Sequence, residues 1–132
     1  MIALGILHRL TATVAKVGVF RPITRHGEDR DYILDLLLAH ATAGLPYERC
    51  VGVTYHELHA DCDAAIDDIV ERYHAMAEAC DAVLIVGSDY TDVTNPAELS
   101  FNARIAVNLG APVLLIVRAS GRTADEVAAV VE

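Results

Sequence analysis

Tryptophan is absent and phenylalanine occurs only twice, so the 54% apolar content of this 132-residue chain rests on aliphatic side chains. A core of Ala, Val, Leu and Ile suits helices packed on a sheet better than a small aromatic-cored barrel. Cations are scarce too: ten Lys and Arg face nineteen Asp and Glu, a formal charge of −9. Such a field repels phosphate backbones and anionic bilayers, which argues against nucleic acid and membrane as partners. No apolar run approaches the roughly 20 residues of a spanning helix, and nothing at the N-terminus has the layout of a signal peptide. The expected location is cytoplasmic. Cysteine is confined to Cys50, Cys62 and Cys80, an odd number without a close pair, so reduced, packing thiols are expected rather than a disulfide framework. Lysine occurs once, as Lys16, and no G-x-x-x-x-G-K-[ST] phosphate loop is encoded.

What is present is the material of one folded domain, with a mean hydropathy of +0.35 that excludes a disordered tail. Ile2, Leu4, Ile6, Leu7 and Leu10 predict a largely buried first helix, which starts without a capping residue, so the beginning looks cut. Val17, Val19 and Phe20 predict a buried strand that Pro22 ends, since proline cannot donate to a ladder. Ile33, Leu34, Leu36, Leu37, Leu38 and Ala41 mark a second helix, closed by Gly44 and Pro46. Residues 47–55 are ambiguous. Asp61 or Asp63 caps a third helix whose inward side carries Ala65, Ile66, Ile69, Val70, Tyr73, Met76 and Ala77, with Asp63, Asp67, Asp68, Glu71 and Glu78 in water.

The run AVLIVG at 82–87 predicts a strand, and Pro96 opens the next helix at its first turn. Gly110 ends that helix, residues 113–117 predict another strand, and Thr123 with Glu126 fits the capping box of a last helix that stops abruptly at Glu132. Buried strands alternating with helices imply an α/β fold: three layers, a mainly parallel sheet, helices on both faces. Ligands in such sheets sit beyond the carboxyl ends of the strands, which selects the loops after Phe20, Val86 and Val117. Arg21, Ser88, Asp89 and Arg118 lie there, and Arg25 stands close to Arg21.

The phrases KVGVFRPITR, CDAVLIVGSDYTDVTNPAELSFNARIAVNLG and APVLLIVRA, in this order and spacing, resemble the N-terminal domain of long-form bacterial phosphate acetyltransferases. That domain is similar in turn to dethiobiotin synthetase and the amidotransferase-type cobyrinate synthetases, P-loop-related proteins in which a first strand and a glycine-rich phosphate loop precede the helix corresponding to residues 2–10. The resemblance therefore implies a P-loop NTPase-like domain without its first strand and phosphate loop, truncated, and single over residues 1–132. It also implies that acetyl transfer between acetyl-CoA and phosphate belongs to a separate C-terminal domain, which becomes a partner. The domain resembled is associated with allosteric control and oligomer assembly, so no catalytic residue, metal or cofactor is expected here. Relatives often carry Glu-Gly where this chain has Gly87-Ser88, and the synthetases Lys-Pro where it has Arg21-Pro22. A guanidinium clamps an anion well and accepts a proton poorly. The alternative reading is an ATP-dependent synthetase related to dethiobiotin synthetase, requiring ATP and Mg²⁺.

Arg21 and Arg25 could hold an anionic metabolite effector or form salt bridges with the plentiful carboxylates. Ser88, Asp89, Thr91 and Asp92 could line the cleft or offer oxygen to Mg²⁺, although a hydrogen-bonded loop capping the next helix is the plainer role. His56, His59 and Cys62 form H-x-x-H-x-x-C, zinc-like chemistry without an evident fourth ligand. An absent interior strand would leave apolar faces and ladder groups uncovered, so a homo-oligomer is expected, with elements exchanged between copies as one form.

Overall fold

A computed structural model describes residues 1–25, 29–88 and 97–131. Its centre is strand β1 (Val17–Thr24), flanked by β2 (Val51–Thr54) and β3 (Ala82–Ile85) in the order β2-β1-β3, all parallel. The register sets Arg21 opposite Val51 on one side and Phe20 opposite Ile85 on the other. Helices α1 (Ile2–Thr11) and α2 (Tyr32–Leu38) pack together and against β1. Helices α3 (Tyr55–Ala60), α4 (Cys62–Ala77) and α5 (Ala97–Leu109) form a second group, of which α4 lies on β1 and β2. Helix α6 (Ala124–Val131) follows.

The alternation of β1 fixes the layers. Phe20 points to α4, where its ring meets Tyr73 edge-on with centroids 5.5 Å apart. Arg21, next in sequence and so on the opposite face, reaches Asp31 at the head of α2. Helices thus cover both faces, as the α/β reading expects, and all eight residues of β1 are buried.

Local capping explains the helix starts. Asp31 accepts from the Leu34 N–H, Asp61 from the Ala64 N–H, and Thr54 with Glu57 forms a reciprocal capping box. Thr123 and Glu126 exchange the same two bonds at the head of α6. Ala65, Ile66, Ile69 and Met76 are the buried side of α4. The ambiguous stretch 47–55 resolves into a 3₁₀ turn, β2 and the start of α3.

Four expectations are corrected. Strand β1 does not stop at Pro22 but runs on to Thr24. The Arg21 N–H donates to O of Cys50, the residue before β2, so the proline nitrogen faces the other side, where the ladder with β3 closes at the bond from Val86 N–H to Phe20 O. No donor is needed there. Helix α1 is not largely buried: Leu7 alone is, and Ile2 is exposed. Helix α2 ends at Leu38, well before Gly44, because the chain must turn back for Thr42 and Ala43 to donate to Val17 O. Residues 113–117 form no strand among the described residues. β1 is filled on both sides, and β3 pairs with β1 alone among the described strands.

Candidate anion-binding cleft at the strand ends

At the carboxyl ends of β1 and β3 a cleft of about 360 Å³ is lined by Arg21, Arg25, Arg30, Asp29, Asp31 and Ser88, with Tyr32 and Tyr55 on its walls. Arg21 is its buried floor, 6% exposed. Its Nε donates to Asp31 Oδ2 at 3.1 Å, and its Nη1 donates to Val86 O at 3.2 Å and to Gly87 O. One guanidinium therefore ties strand β1 to helix α2 and to the loop leaving β3.

Asp31 does three things at once. Oδ2 receives Arg21, Oδ1 accepts the Leu34 N–H at 3.0 Å, and the backbone N–H donates to Tyr47 Oη at 2.7 Å. Such a charge-assisted network holds the α2 wall in place. Arg30 grips Asp35 with bonds of 3.2, 3.0 and 2.6 Å and stacks 4.1 Å over the Tyr47 ring. The Asp35 carboxylate raises the Arg30 pKa, and Arg30 in turn holds Asp35 below the usual carboxylate range.

The opposite wall is set by Asn102 of α5. Its Oδ1 accepts the Ser88 N–H at 3.2 Å and its Nδ2 donates to Ser88 Oγ at 2.8 Å. A Cβ on Gly87 would lie 2.6 Å from that Oδ1, so a larger residue there would displace the Asn102 side chain or shift the loop.

Of the residues singled out in the sequence, Arg21, Arg25 and Ser88 come together in the cleft. Arg21 does so from within β1, not from a loop after Phe20. Arg118 does not join them; it is exposed in the stretch between α5 and α6, because residues 113–117 take no place in the sheet to carry it there. Asp89, Thr91 and Asp92 lie outside the described residues. Sequence reasoning missed Asp31, Arg30 and Asn102. An aspartate opening a helical pattern was a usable signal for the first; nothing local marks Asn102.

Of the H-x-x-H-x-x-C residues, His56 is exposed, while His59 and Cys62 are engaged in packing and pairing. His59 stacks on Tyr55 and meets Phe101 edge-on, while Cys62 Sγ accepts from Arg104 at 3.2 Å, with Asp63 holding the same guanidinium at 2.8 Å. Among the described residues no three His, Cys, Asp or Glu side chains converge as metal ligands. Burial pushes the Cys50 thiol up to about 11 and raises Cys80 as well. Both are poor nucleophiles near neutrality. Lys16 stands at the other end of β1, where its backbone bonds Asp81 and Ala82. Among the described residues no helix is long and apolar enough to cross a membrane.

The whole chain, residues 1–132, matches the AAA domain family. It belongs to that family. This AAA domain is also similar to the phosphate acetyltransferase of Nitratidesulfovibrio vulgaris, 29% identical over 97% of the chain and 19% of the relative. The phosphate acetyltransferase of a Synechocystis species is 30% identical over 93% of the chain and again 19% of the relative. The AAA domain thus spans about a fifth of the length of these curated relatives. No solved structure matches it.

Proposed function

We propose that this AAA domain is a regulatory and assembly portion of a phosphate acetyltransferase, binding an anionic effector in the cleft at the strand ends while acetyl transfer takes place elsewhere. The observation that carries this reading is the chemistry of the cleft. Three arginines, Arg21, Arg25 and Arg30, line it together with Ser88, and among the described residues the lining contains no histidine, cysteine or lysine. Guanidinium groups recognise carboxylate and phosphate oxygens in bidentate fashion but do not exchange protons near neutrality. The cleft is therefore suited to holding an anion and poorly suited to turning one over.

The similarity to two phosphate acetyltransferases supports the parent activity, and the short share of their length leaves room for an acyl-transfer domain as partner. The second reading is an ATP-dependent synthetase, in which backbone N–H groups and a lysine of a phosphate loop would cradle the phosphates.

The test has two arms on the 132-residue chain. Incubated with acetyl-CoA and phosphate it releases no CoA; sustained turnover would end the proposal. Titration calorimetry with inorganic phosphate, a small dicarboxylate and ATP with Mg²⁺ then asks what the cleft holds. Heat from a simple anion that is lost in Arg25→Ala supports the effector site. Mg²⁺-dependent ATP binding that survives Arg25→Ala favours the synthetase reading instead.

A further inference from the structure

The Arg21 guanidinium has five N–H groups and, among the described residues, uses three of them: Nε on Asp31, and Nη1 on Val86 O and Gly87 O. Nη2 donates to no described residue, although the side chain is only 8% exposed and forms the floor of the cleft. A donor held out of water without an acceptor is costly, and a ligand oxygen there relieves that cost. Ser88 adds a second donor. Its Oγ accepts from Asn102 Nδ2 at 2.8 Å, which leaves its own O–H to donate. These groups lie on β1 and on the loop leaving β3, each held by partners within the chain.

The charges around this floor limit the charge of the ligand. Three arginines and two carboxylates, Asp29 and Asp31, line the cleft, a surplus of one positive charge. Arg21 is paired with Asp31, and Arg30 already faces Asp35 and Glu48 from outside the lining. A carboxylate brings a single negative charge, whereas a phosphate monoester brings about −1.5 to −2 near neutrality. The carboxylate is the better match. A polyphosphate would set its further charges against Asp29 and Asp31.

The remaining walls are apolar. Tyr32, in the first turn of α2, is 76% exposed, so its ring stands in water beside the cleft, with Ile33 and Tyr55 also in the lining. Such a ring packs well on another ring, offset or edge-on. At about 360 Å³ the cleft is at the small end of ligand pockets, and it suits a single ring with a short acidic arm.

We infer that the cleft takes a small aromatic monocarboxylate, its carboxylate on Arg21 Nη2 and Ser88 Oγ and its ring against Tyr32. The inference names the class of effector in the proposed function and rests on that reading of the cleft.

Titration calorimetry on the 132-residue chain tests it with phenylacetate, the uncharged phenylacetamide, acetate and inorganic phosphate. Phenylacetate should bind at least tenfold more tightly than each of the others, and should shift the Arg21 guanidinium signals in nitrogen–proton NMR spectra. Tyr32→Ala, at an exposed side chain, should weaken phenylacetate at least tenfold and leave circular dichroism unchanged. Phenylacetate affinity that Tyr32→Ala does not alter, or that phenylacetamide equals, would overturn the inference. Phosphate that binds more tightly than phenylacetate, with its heat lost in Arg25→Ala, would also overturn it while sparing the anionic-effector reading. No heat from phenylacetate, acetate, phosphate or a small dicarboxylate would overturn both.

Discussion

Strand β1 and residues 113–117 are both runs rich in apolar residues, and the fold treats them oppositely. VGVFRPIT is buried at every position and bonded to a neighbour on each side; VLLIV is exposed at four of five positions and bonded to no described strand. Hydrophobicity brings a segment toward a core, but extended backbone carries a row of donors and acceptors that must also be matched. β1 holds its place because β2 and β3 satisfy both of its edges. What distinguishes the two regions is the supply of partners.

The contrast is sharpest in a matched pair of truncations. Phe20→Ala removes a fully buried ring and its edge contact with Tyr73, and should cost about 3–5 kcal/mol in urea unfolding. Leu114→Ala, at a side chain that is 68% exposed, should stay within about 0.5 kcal/mol. Comparable losses would mean that 113–117 is packed after all. Next in size is Arg21→Met. It strands the Asp31 carboxylate, and the two side chains are only 8% and 10% exposed. A loss of about 3 kcal/mol is expected from an uncompensated buried charge. Asp31→Asn keeps an oxygen for the Leu34 cap, so the double variant Arg21→Met/Asp31→Asn should lose less than the sum of the singles.

How much of this was legible in the sequence follows from the range of each interaction. The α4 pattern and its Asp61 cap, and the Thr123 and Glu126 capping box, rest on bonds three residues apart, and the sequence displays them directly. The cleft was legible as far as the strand-end rule reaches: it selected Arg21 and Ser88, with Arg25 close by. Other features depend on distant partners. Asn102 reaches Ser88 across 14 residues. The passage of β1 through Pro22 depends on where the β3 ladder stops, and the fate of 113–117 depends on an edge that composition does not specify. Arg118 was misplaced together with its strand.

Gly87→Ala probes a partner supplied from afar. The added methyl would meet Asn102 Oδ1 at 2.6 Å, so either the side chain or the loop must move. The expected cost is about 1–3 kcal/mol, as for overpacking elsewhere. Asn102→Ala in the same chain should recover part of it by opening the space, at the expense of the Ser88 bonds. Full additivity of the two changes would show that they do not touch.

The smallest effect belongs to the start of α3, where every partner is local. Thr54→Ala removes the oxygen that accepts the Glu57 N–H, a change of about 1 kcal/mol. Glu57 adds a pH signature: the Thr54 backbone N–H, then the Thr54 hydroxyl, hold its carboxyl below the ordinary 4.5. A carboxyl lowered in the folded state stabilises above its unfolded pKa, and that contribution fades as pH falls through the lowered folded value. Glu57 is largely exposed, so water screens most of the effect. Thermal midpoints of wild type and Glu57→Gln should therefore differ slightly at pH 7 and converge below pH 4.5, because protonation has by then removed what the substitution removes. A gap that widened in acid would show that Glu57 is not held as its charged form, and would take this helix out of the class of elements whose partners lie within one turn.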